Sequence, residues 1–422
     1  MRKVRSGWGA AVLALLVLCS GVLLGCSEPA PHKTVTTGPV SSAEAQRLLD
    51  ERATAVRTQN LTAFLATLDR TDPQLVERQR RFYENMIELP LKTLRYAVLK
   101  AGWPAELRSK TWGSDVSVPQ VQVATQLAGF DSVPVVRTTG FAFARVAGRP
   151  VIISEVTGAG HQFPGSDPSP WDLVRIHVRR SGPTLQLYDS TSWHRADEVD
   201  KVVRRGIANV QQGLPFHWNG KVVVYVFDSS AVLDSIQGVP GGNIEHLGAM
   251  TFPMYAVLGQ DKVAGIRFTL LPSSVRAGQP FLDRIVRHEL THVAVGDRDD
   301  GAPVWFAEGL AEYMGARTIP TDQRRIATVA VTRARKGVTR LPSSATFNGP
   351  DQAWNYALAW MACDYIVATQ GAPRLWELMS ALHDGGAGTL DKDQDLVLER
   401  VIGMTGGQLA REAAHRILKI YG

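Results

Sequence analysis

The sequence predicts an α+β fold, in which an N-terminal α+β domain precedes a mainly helical domain that contains a small β-sheet. Three observations lead to this prediction. Apolar residues recur at helical spacing over about 43–88. Short alternating or β-branched runs, divided by Gly and Pro, follow over about 93–192. Helical spacing then returns from about residue 281 to the C-terminus, and 422 residues are enough for two domains.

Residues 1–26 predict an export signal that ends in a lipidation site. A basic start with Arg2, Lys3 and Arg5 precedes the apolar run AAVLALLVLCSGVLLG, which is short for a membrane span. The run ends in LLGC, which resembles the lipobox of bacterial lipoproteins. The resemblance implies a lipid on Cys26 and a location on the extracytoplasmic face of the cell membrane. A plain signal peptide with a chance cysteine, or an uncleaved anchor, is the alternative.

The next segments predict a tether and the first domain. Residues 27–40 are polar and rich in Pro, Thr and Gly, which is typical of a flexible tether. The N-terminal domain is expected over 41–195, with one helix starting near Ser42 and a second after Pro73. Strand-like runs follow in LRYAVLKA, VSVPQVQVATQLAG, GFAFARVAG, PVIISEV, LVRIHVRRSG and TLQLYDST.

The order of these elements, together with AVRTQNLTAFLATL, resembles the nuclear-transport-factor-two-like fold. That resemblance implies a cone-shaped α+β domain of the kind that often carries a pocket. A fold does not give a function, and we assign this domain no chemistry.

The C-terminal domain is expected over 196–422. A helix over 194–215 leads into it, KVVVYVFDS and VAGIRFTLLP predict strands, and a helix follows Pro280. The rest of the chain predicts helices at 303–316, 322–336, 351–369, 373–383, 392–402 and 406–420.

The stretch RIVRHELTHVAVGD places two histidines four residues apart, with a glutamate directly after the first. In a helix, His288 and His292 share one face, so both imidazoles can bind one metal ion. Zn²⁺ accepts imidazole nitrogen and prefers four ligands, so two histidines supply half of a site. Glu289 projects beside that face, where it can act as a general base on a metal-activated water. The HExxH pattern therefore encodes two ligands and a base.

A second helix supplies the third ligand in this interpretation. The segment PVWFAEGLAEYMG begins with a proline in a helix-starting position and offers Glu308 and, one turn later, Glu312. A carboxylate from this helix closes a His, His, Glu site that leaves the fourth position for water. Ligand histidines usually donate their free N–H to a carboxylate, and Glu312 is placed for that supporting role.

HExxH followed by WFAEGLAEY resembles the gluzincin metallopeptidases, most closely the compact peptidase MA-like group, over about residues 200–422. The resemblance implies a gluzincin-type domain that hydrolyses peptide bonds, with zinc bound by His288, His292 and Glu308 and with Glu289 as the catalytic glutamate. The spacer from His292 to Glu308 is shorter than in the best-known gluzincins, which implies a trimmed connection through GDRDDGAP.

The same resemblance suggests two further features of the cleft. Tyr356, in NYALAWMACDYIV, is expected to stabilise the oxyanion, but Trp354, Trp360 and Tyr365 share its helix, so a packing role is an equal alternative. The strand at 265–271 is expected to run beside the cleft and to pair with an extended peptide.

Composition and charge limit the remaining functions. Of the formal net charge of +6, three charges lie in the first five residues, so about +3 remains without them and a nucleic-acid partner is not expected. After Cys26 only Cys363 remains, which excludes an intramolecular disulfide framework. Two alternatives to a peptidase stay open: a non-catalytic envelope lipoprotein for binding or assembly, and an enzyme with a non-peptide substrate. The sequence gives no oligomeric state.

Overall fold

The computed structural model describes residues 38–102, 115–155, 168–236, 248–257, 259–385 and 391–422. The predicted signal peptide, the lipobox with Cys26 and residues 27–37 of the tether lie outside these residues. The described fold is α+β, as predicted, with one sheet of four strands and another of five. None of the described helices has the length and apolar character that crossing a bilayer requires.

Three helices and an antiparallel sheet form the N-terminal layer. The helices are α1 Ser42–Arg57, α2 Leu61–Leu65 and α3 Pro73–Glu88. The strands, in the order in which they pair, are β1 Leu91–Gly102, β2 Pro119–Leu127, β3 Val135–Val146 and β4 Arg149–Glu155. Helices α1 and α3 pack on the sheet. Ser41 and Glu44 cap α1 reciprocally, since each backbone N–H donates to the other's side chain. Val40, expected at the end of the tether, is buried in this layer.

The second sheet is mixed and has five strands. They are β5 Ile176–Ser181, β6 Thr184–Asp189, β7 Val222–Val226, β8 Ala249–Tyr255 and β9 Val263–Leu270. The order across the sheet is β5-β6-β7-β9-β8, with β6, β7 and β9 parallel. Short helices α4 Pro170–Leu173, α6 Ser230–Asp234 and α7 Pro272–Ala277 lie between strands, and α5 Ala196–Gln211 crosses from β6 to β7.

The strand-like runs between residues 173 and 191 belong to this second sheet, although the sequence analysis grouped them with the N-terminal strands. Strand β6 pairs in parallel with β7, from Thr184 opposite Val222 to Tyr188 opposite Val226. Parallel neighbours need a crossover connection, and α5 supplies it. The second sheet therefore begins upstream of the boundary expected at residue 195.

Strand β9 lies inside the second sheet. Its backbone pairs with β7 over 267–270 and with β8 over 263–270. The expectation that an extended peptide pairs with 265–271 was therefore wrong, because neighbouring strands already occupy both edges there. Strand β8 is the edge strand on that side of the sheet.

Helices make up most of the remaining chain. They are α8 Phe281–Val295, α9 Val304–Ala316, α10 Thr328–Arg335, α11 Gln352–Gln370, α12 Ala372–Gly385, α13 Asp391–Ile402 and α14 Gly406–Tyr421. The prediction of a helix over 322–336 was too long. Arg324 is extended, and its Nε donates to the Ile319 carbonyl at 2.9 Å while Nη1 lies 3.3 Å from Asp364 Oδ1. These contacts hold the segment before Thr328 outside the helix.

Candidate metal centre

Helix α8 presents His288 and His292 from adjacent turns. Its apolar side, with Leu282, Val286 and Leu290 fully buried, belongs to the core that also includes α5 and the second sheet. Burial of that side fixes the rotation of the helix, and with it the direction of both imidazoles. The two Nε2 atoms lie 3.2 Å apart.

Helix α9 brings a carboxylate to the same point. Glu308 Oε2 lies 3.2 Å from His288 Nε2 and 3.5 Å from His292 Nε2. The three ligand atoms all lie within 4.8 Å of one another. The predicted trio therefore converges in space, although 16 positions separate His292 from Glu308 in the sequence.

Two glycines let α9 approach its neighbours closely. A Cβ at Gly309 would lie 2.5 Å from the carbonyl oxygen of Ala359 on α11. A Cβ at Gly315 would lie 3.0 Å from the carbonyl oxygen of Arg284 on α8. Any side chain at these positions would push α9 away, and the carboxylate of Glu308 would move with it. The glycines of the segment AEGLAEYMG thus help to set the ligand distances.

The observed separations fit a zinc ion. Four nitrogen or oxygen ligands placed tetrahedrally at 2.0–2.1 Å from zinc are about 3.3–3.4 Å from one another. The three pairs of ligand atoms are 3.2, 3.2 and 3.5 Å apart. Glu308 Oε2 is buried, and no group in the described part of the chain gives it a hydrogen bond of normal geometry. A bound cation would supply the partner that this oxygen lacks.

Glu312 supports the first histidine from the side opposite the ligand trio. Its Oε1 lies 3.4 Å from His288 Nδ1, and its Oε2 accepts a hydrogen bond from Arg284 Nη2. Arg284 in turn packs over the Trp360 ring, with its guanidinium carbon 4.3 Å from the ring centroid. A carboxylate on Nδ1 leaves Nε2 as the nitrogen available for a metal.

Glu289 is anchored by a contact that the sequence analysis did not anticipate. Thr251 Oγ1, on edge strand β8, donates to Glu289 Oε2 at 2.6 Å. Glu289 is buried, and its Oε1 has no hydrogen bond to the described residues. One oxygen is therefore fixed while the other remains available for proton transfer.

The three carboxylates of the centre have different proton affinities. Burial alone would raise the pKa of Glu308, but His292 and His288 hold it well below its usual value. Burial would also raise the pKa of Glu312, but Arg284 and His288 outweigh it and lower this pKa to about 2. At Glu289, by contrast, burial dominates and raises the pKa. Glu289 is thus the most basic of the three, as expected of a group that accepts a proton.

Tyr356 lies at the wall of the same cleft. Its ring centroid is 6.3 Å from that of His288, and its hydroxyl donates to Asn348 Oδ1 at 3.3 Å. Burial, reinforced by Glu308, raises the pKa of Tyr356 well above its usual value, so the phenol keeps its proton. The ring also packs edge-on against Phe347 at 4.9 Å. Both the donor role and the packing role are compatible with this position.

The ligand trio, Glu289 and Tyr356 line a cavity of about 650 Å³. Its wall includes Thr251, Pro253 and Tyr255 of β8, together with the histidines, Glu289, Glu308 and Tyr356. The same lining includes four aspartates, Asp261, Asp297, Asp299 and Asp300, which make it acidic. A cavity of this size admits a small molecule or a few residues of a peptide.

Comparisons with known proteins give weak structural likeness and no match in sequence. No protein-family model matches the sequence, and no curated protein matches it. The fold aligns with the crystal structure of a two-domain M1 zinc metallopeptidase mutant bound to L-arginine, at 10% sequence identity and a TM-score of 0.33. The alignment covers 71% of this chain and 61% of that one.

The structure brings together every site residue that the sequence analysis placed in the C-terminal region. Two contributors were missed: Thr251, which holds Glu289, and Arg284, which holds Glu312. Arg284 had a usable signal, because it lies four residues before His288 on the same helix face. Thr251 had none, since its contact spans 38 residues of sequence.

Proposed function

We propose that this protein is a zinc-dependent peptidase of the gluzincin type, in which a glutamate general base activates water. The observation that carries the proposal is the set of three ligand atoms at 3.2–3.5 Å from one another, which matches tetrahedral zinc. His288, His292 and Glu308 would hold the ion and leave the fourth position open.

A zinc ion bound by these three residues would polarise the substrate carbonyl and acidify a water molecule. Glu289, whose pKa is raised by burial, would take the proton from the attacking water and deliver it to the leaving amine. The hydrogen bond from Thr251 Oγ1 to Glu289 Oε2 would hold the carboxylate in place during both transfers. Tyr356, which retains its proton, would donate a hydrogen bond to the developing oxyanion.

Edge strand β8 suits an extended peptide substrate. The Leu271 N–H donates to the Gly248 carbonyl at 3.1 Å, so the backbone groups of Gly248 face β9. In an antiparallel pair, residues that face the partner strand alternate with residues that face away from it, so the N–H and C=O of Thr251, three residues later, point away from β9. Thr251 thus offers an outward N–H and C=O beside Glu289. The backbone nitrogen of Pro253, two residues along, also faces away from β9. A proline there removes no hydrogen bond between β8 and β9. A peptide that adds to this edge would bring its backbone carbonyl to the metal centre.

We also propose that the enzyme works on the outer face of a membrane, tethered by a lipid on Cys26. The support is the sequence LLGC at the end of an apolar run. Protein or peptide substrates of the cell envelope would then be the accessible class. A non-catalytic lipoprotein has no need of a buried glutamate held by Thr251, which disfavours that alternative.

Substitution of Glu289 tests the proposed chemistry. In Glu289→Gln we expect zinc content to stay at one per chain while hydrolysis of a general peptide library falls about 10³-fold, because the base is lost but the ligands are not. Glu399→Gln, an exposed glutamate, is the matched control. Unchanged turnover in Glu289→Gln contradicts the mechanism. Zinc binding without any chelator-sensitive peptide cleavage by the unmodified chain favours the binding module or a non-peptide substrate.

A further inference from the structure

A second cavity lies in the N-terminal layer and shares no lining residue with the metal-centre cavity. It sits between helices α1 and α3 on one side and the four-stranded sheet on the other. Its free volume is about 40 Å³, which is room for about three water molecules. Both charged and apolar side chains line it, among them Arg52, Phe82, Tyr96, Phe141, Glu155 and Trp171.

Arg52 is the unusual member of this lining. The residue is 1% exposed, and its Nη2 donates to Gln79 Oε1, whereas Nε and Nη1 make no hydrogen bond of good geometry to any residue that the structure describes. No carboxylate among the described residues lies within ion-pair distance of it. Glu155, in the same cavity, is instead 3.5 Å from Arg78 Nε.

A buried guanidinium keeps its charge, because its pKa is too high for proton loss at neutral pH. Aromatic rings compensate part of that charge: the guanidinium carbon lies 3.9 Å from the Phe64 centroid and 5.1 Å from that of Phe82. Ring faces accept no conventional hydrogen bond from Nε or Nη1. The site therefore lacks an anionic acceptor.

A second buried donor belongs to the same cavity. The hydroxyl of Tyr96 faces the Arg52 guanidinium, which lies near enough to oppose the rise in pKa that burial gives the phenol, but within the described part of the chain no group accepts the phenol proton in good geometry. Two N–H groups and one phenol O–H thus share one small space. A carboxylate can accept bonds from both a guanidinium and a hydroxyl.

We propose that this cavity binds a small monocarboxylate with a short apolar body. The carboxylate would accept hydrogen bonds from Arg52 and Tyr96. Phe82, Phe141 and Trp171 would surround the carbon chain. The charge of Arg52 selects an anion, the carboxyl groups of Glu155 and Asp172 in the same wall disfavour a second negative charge, and the volume limits the enclosed part to a few atoms.

Calorimetric titration of the full chain tests this assignment. Propionate and butyrate are the probes, and propionamide and butyramide, which have the same shape without the charge, are the comparison ligands. Acetyl-Ala-Leu with a free or an amidated C-terminus distinguishes a free small acid from the end of a peptide, since the two share the carboxylate. We expect the acids to bind at least 10-fold more tightly than their amides.

Two variants separate ligand binding from folding. Arg52→Met should abolish acid binding, and Tyr96→Phe, which keeps the buried ring, should weaken it about 5- to 10-fold because the phenol donor is lost. Arg47→Met, an exposed arginine on the same helix, should leave binding unchanged. If Arg52→Met does not fold, Tyr96→Phe alone decides. Equal affinity for acids and amides, no acid binding at 10 mM, or unweakened binding by Tyr96→Phe overturns the proposal.

Discussion

The metal centre and the Arg52 cavity bury charge in opposite ways. In the centre, two imidazoles and a carboxylate converge on one point, and Glu308 Oε2 has no hydrogen bond of good geometry within the described part of the chain. In the cavity, the buried cation Arg52 has two nitrogens, Nε and Nη1, that make no hydrogen bond of good geometry to the described residues. The charge of a buried polar group that lacks a partner indicates the opposite charge of the ligand that would bind there. The first site lacks a cation and the second an anion.

Removal of Glu308 gives the largest expected effect. Glu308→Ala deletes one of three protein ligands, and for a site bound with about 10 kcal/mol or more this loses roughly 10³-fold in zinc affinity. Competition with a chromophoric chelator measures it. Glu77→Gln, at an exposed position in the N-terminal layer, should bind zinc like the unmodified chain. Unchanged zinc affinity in Glu308→Ala would mean that Glu308 is not a metal ligand, and the contrast between the two sites would be lost.

Glu155 tests whether Arg52 already has an internal partner. Burial outweighs Arg52 and Arg78 and raises the pKa of Glu155 to about 7. A raised folded-state pKa favours folding below the unfolded value near 4.5, and this contribution is lost as pH rises through about 7. Glu155→Gln should therefore lie within about 1 kcal/mol of the unmodified chain at pH 5 and be about 3 kcal/mol more stable at pH 8.

Urea unfolding at pH 5 and pH 8 measures that difference. A variant less stable than the unmodified chain at pH 8 would show that Glu155 is ionised in favourable contact with the arginines. Arg52 would then have its anion within the protein, and the contrast between the two regions would disappear.

Glu312 gives a smaller effect, because it acts on the metal only through His288. Glu312→Gln should weaken zinc binding about 10- to 100-fold, since the amide replaces a carboxylate 3.4 Å from His288 Nδ1. Arg284→Met, which removes the partner of Glu312, should produce part of the same loss. Chelator competition under the conditions used for Glu308→Ala ranks the three variants, and a larger loss in Glu312→Gln than in Glu308→Ala would reverse their assigned roles.

The smallest expected effect concerns the position of the base. Thr251→Val removes the hydrogen bond to Glu289 Oε2 and should lower kcat about 10-fold with little change in KM or in zinc content. Thr269→Val on the neighbouring strand β9 is a matched control, because the Thr269 hydroxyl has no hydrogen-bond partner. Equal kcat in the two variants would remove Thr251 from the site.

The metal centre was predictable because its signal is local. Two ligands and the base lie within five residues of one helix, and the third ligand lies on the following helix, where Pro303 marks the start. The helix positions after α8 agree with prediction except over 322–327, where Arg324 makes contacts across the fold. Periodicity detects helices, but it does not detect such distant tethers.

The sequence by itself determined the α+β class, the helical spacing of His288 and His292 and the candidate ligand Glu308. Only the tertiary structure decided that β5 and β6 join the second sheet, that β8 rather than β9 is its edge, and that Thr251 holds Glu289. It alone revealed that Arg52 is buried with two nitrogens that make no hydrogen bond of good geometry to the described residues, since an arginine in a helix is ordinarily exposed. The physical reason is range: helix periodicity is set within a few residues, whereas strand order and the partners of buried charges depend on segments far apart in the chain.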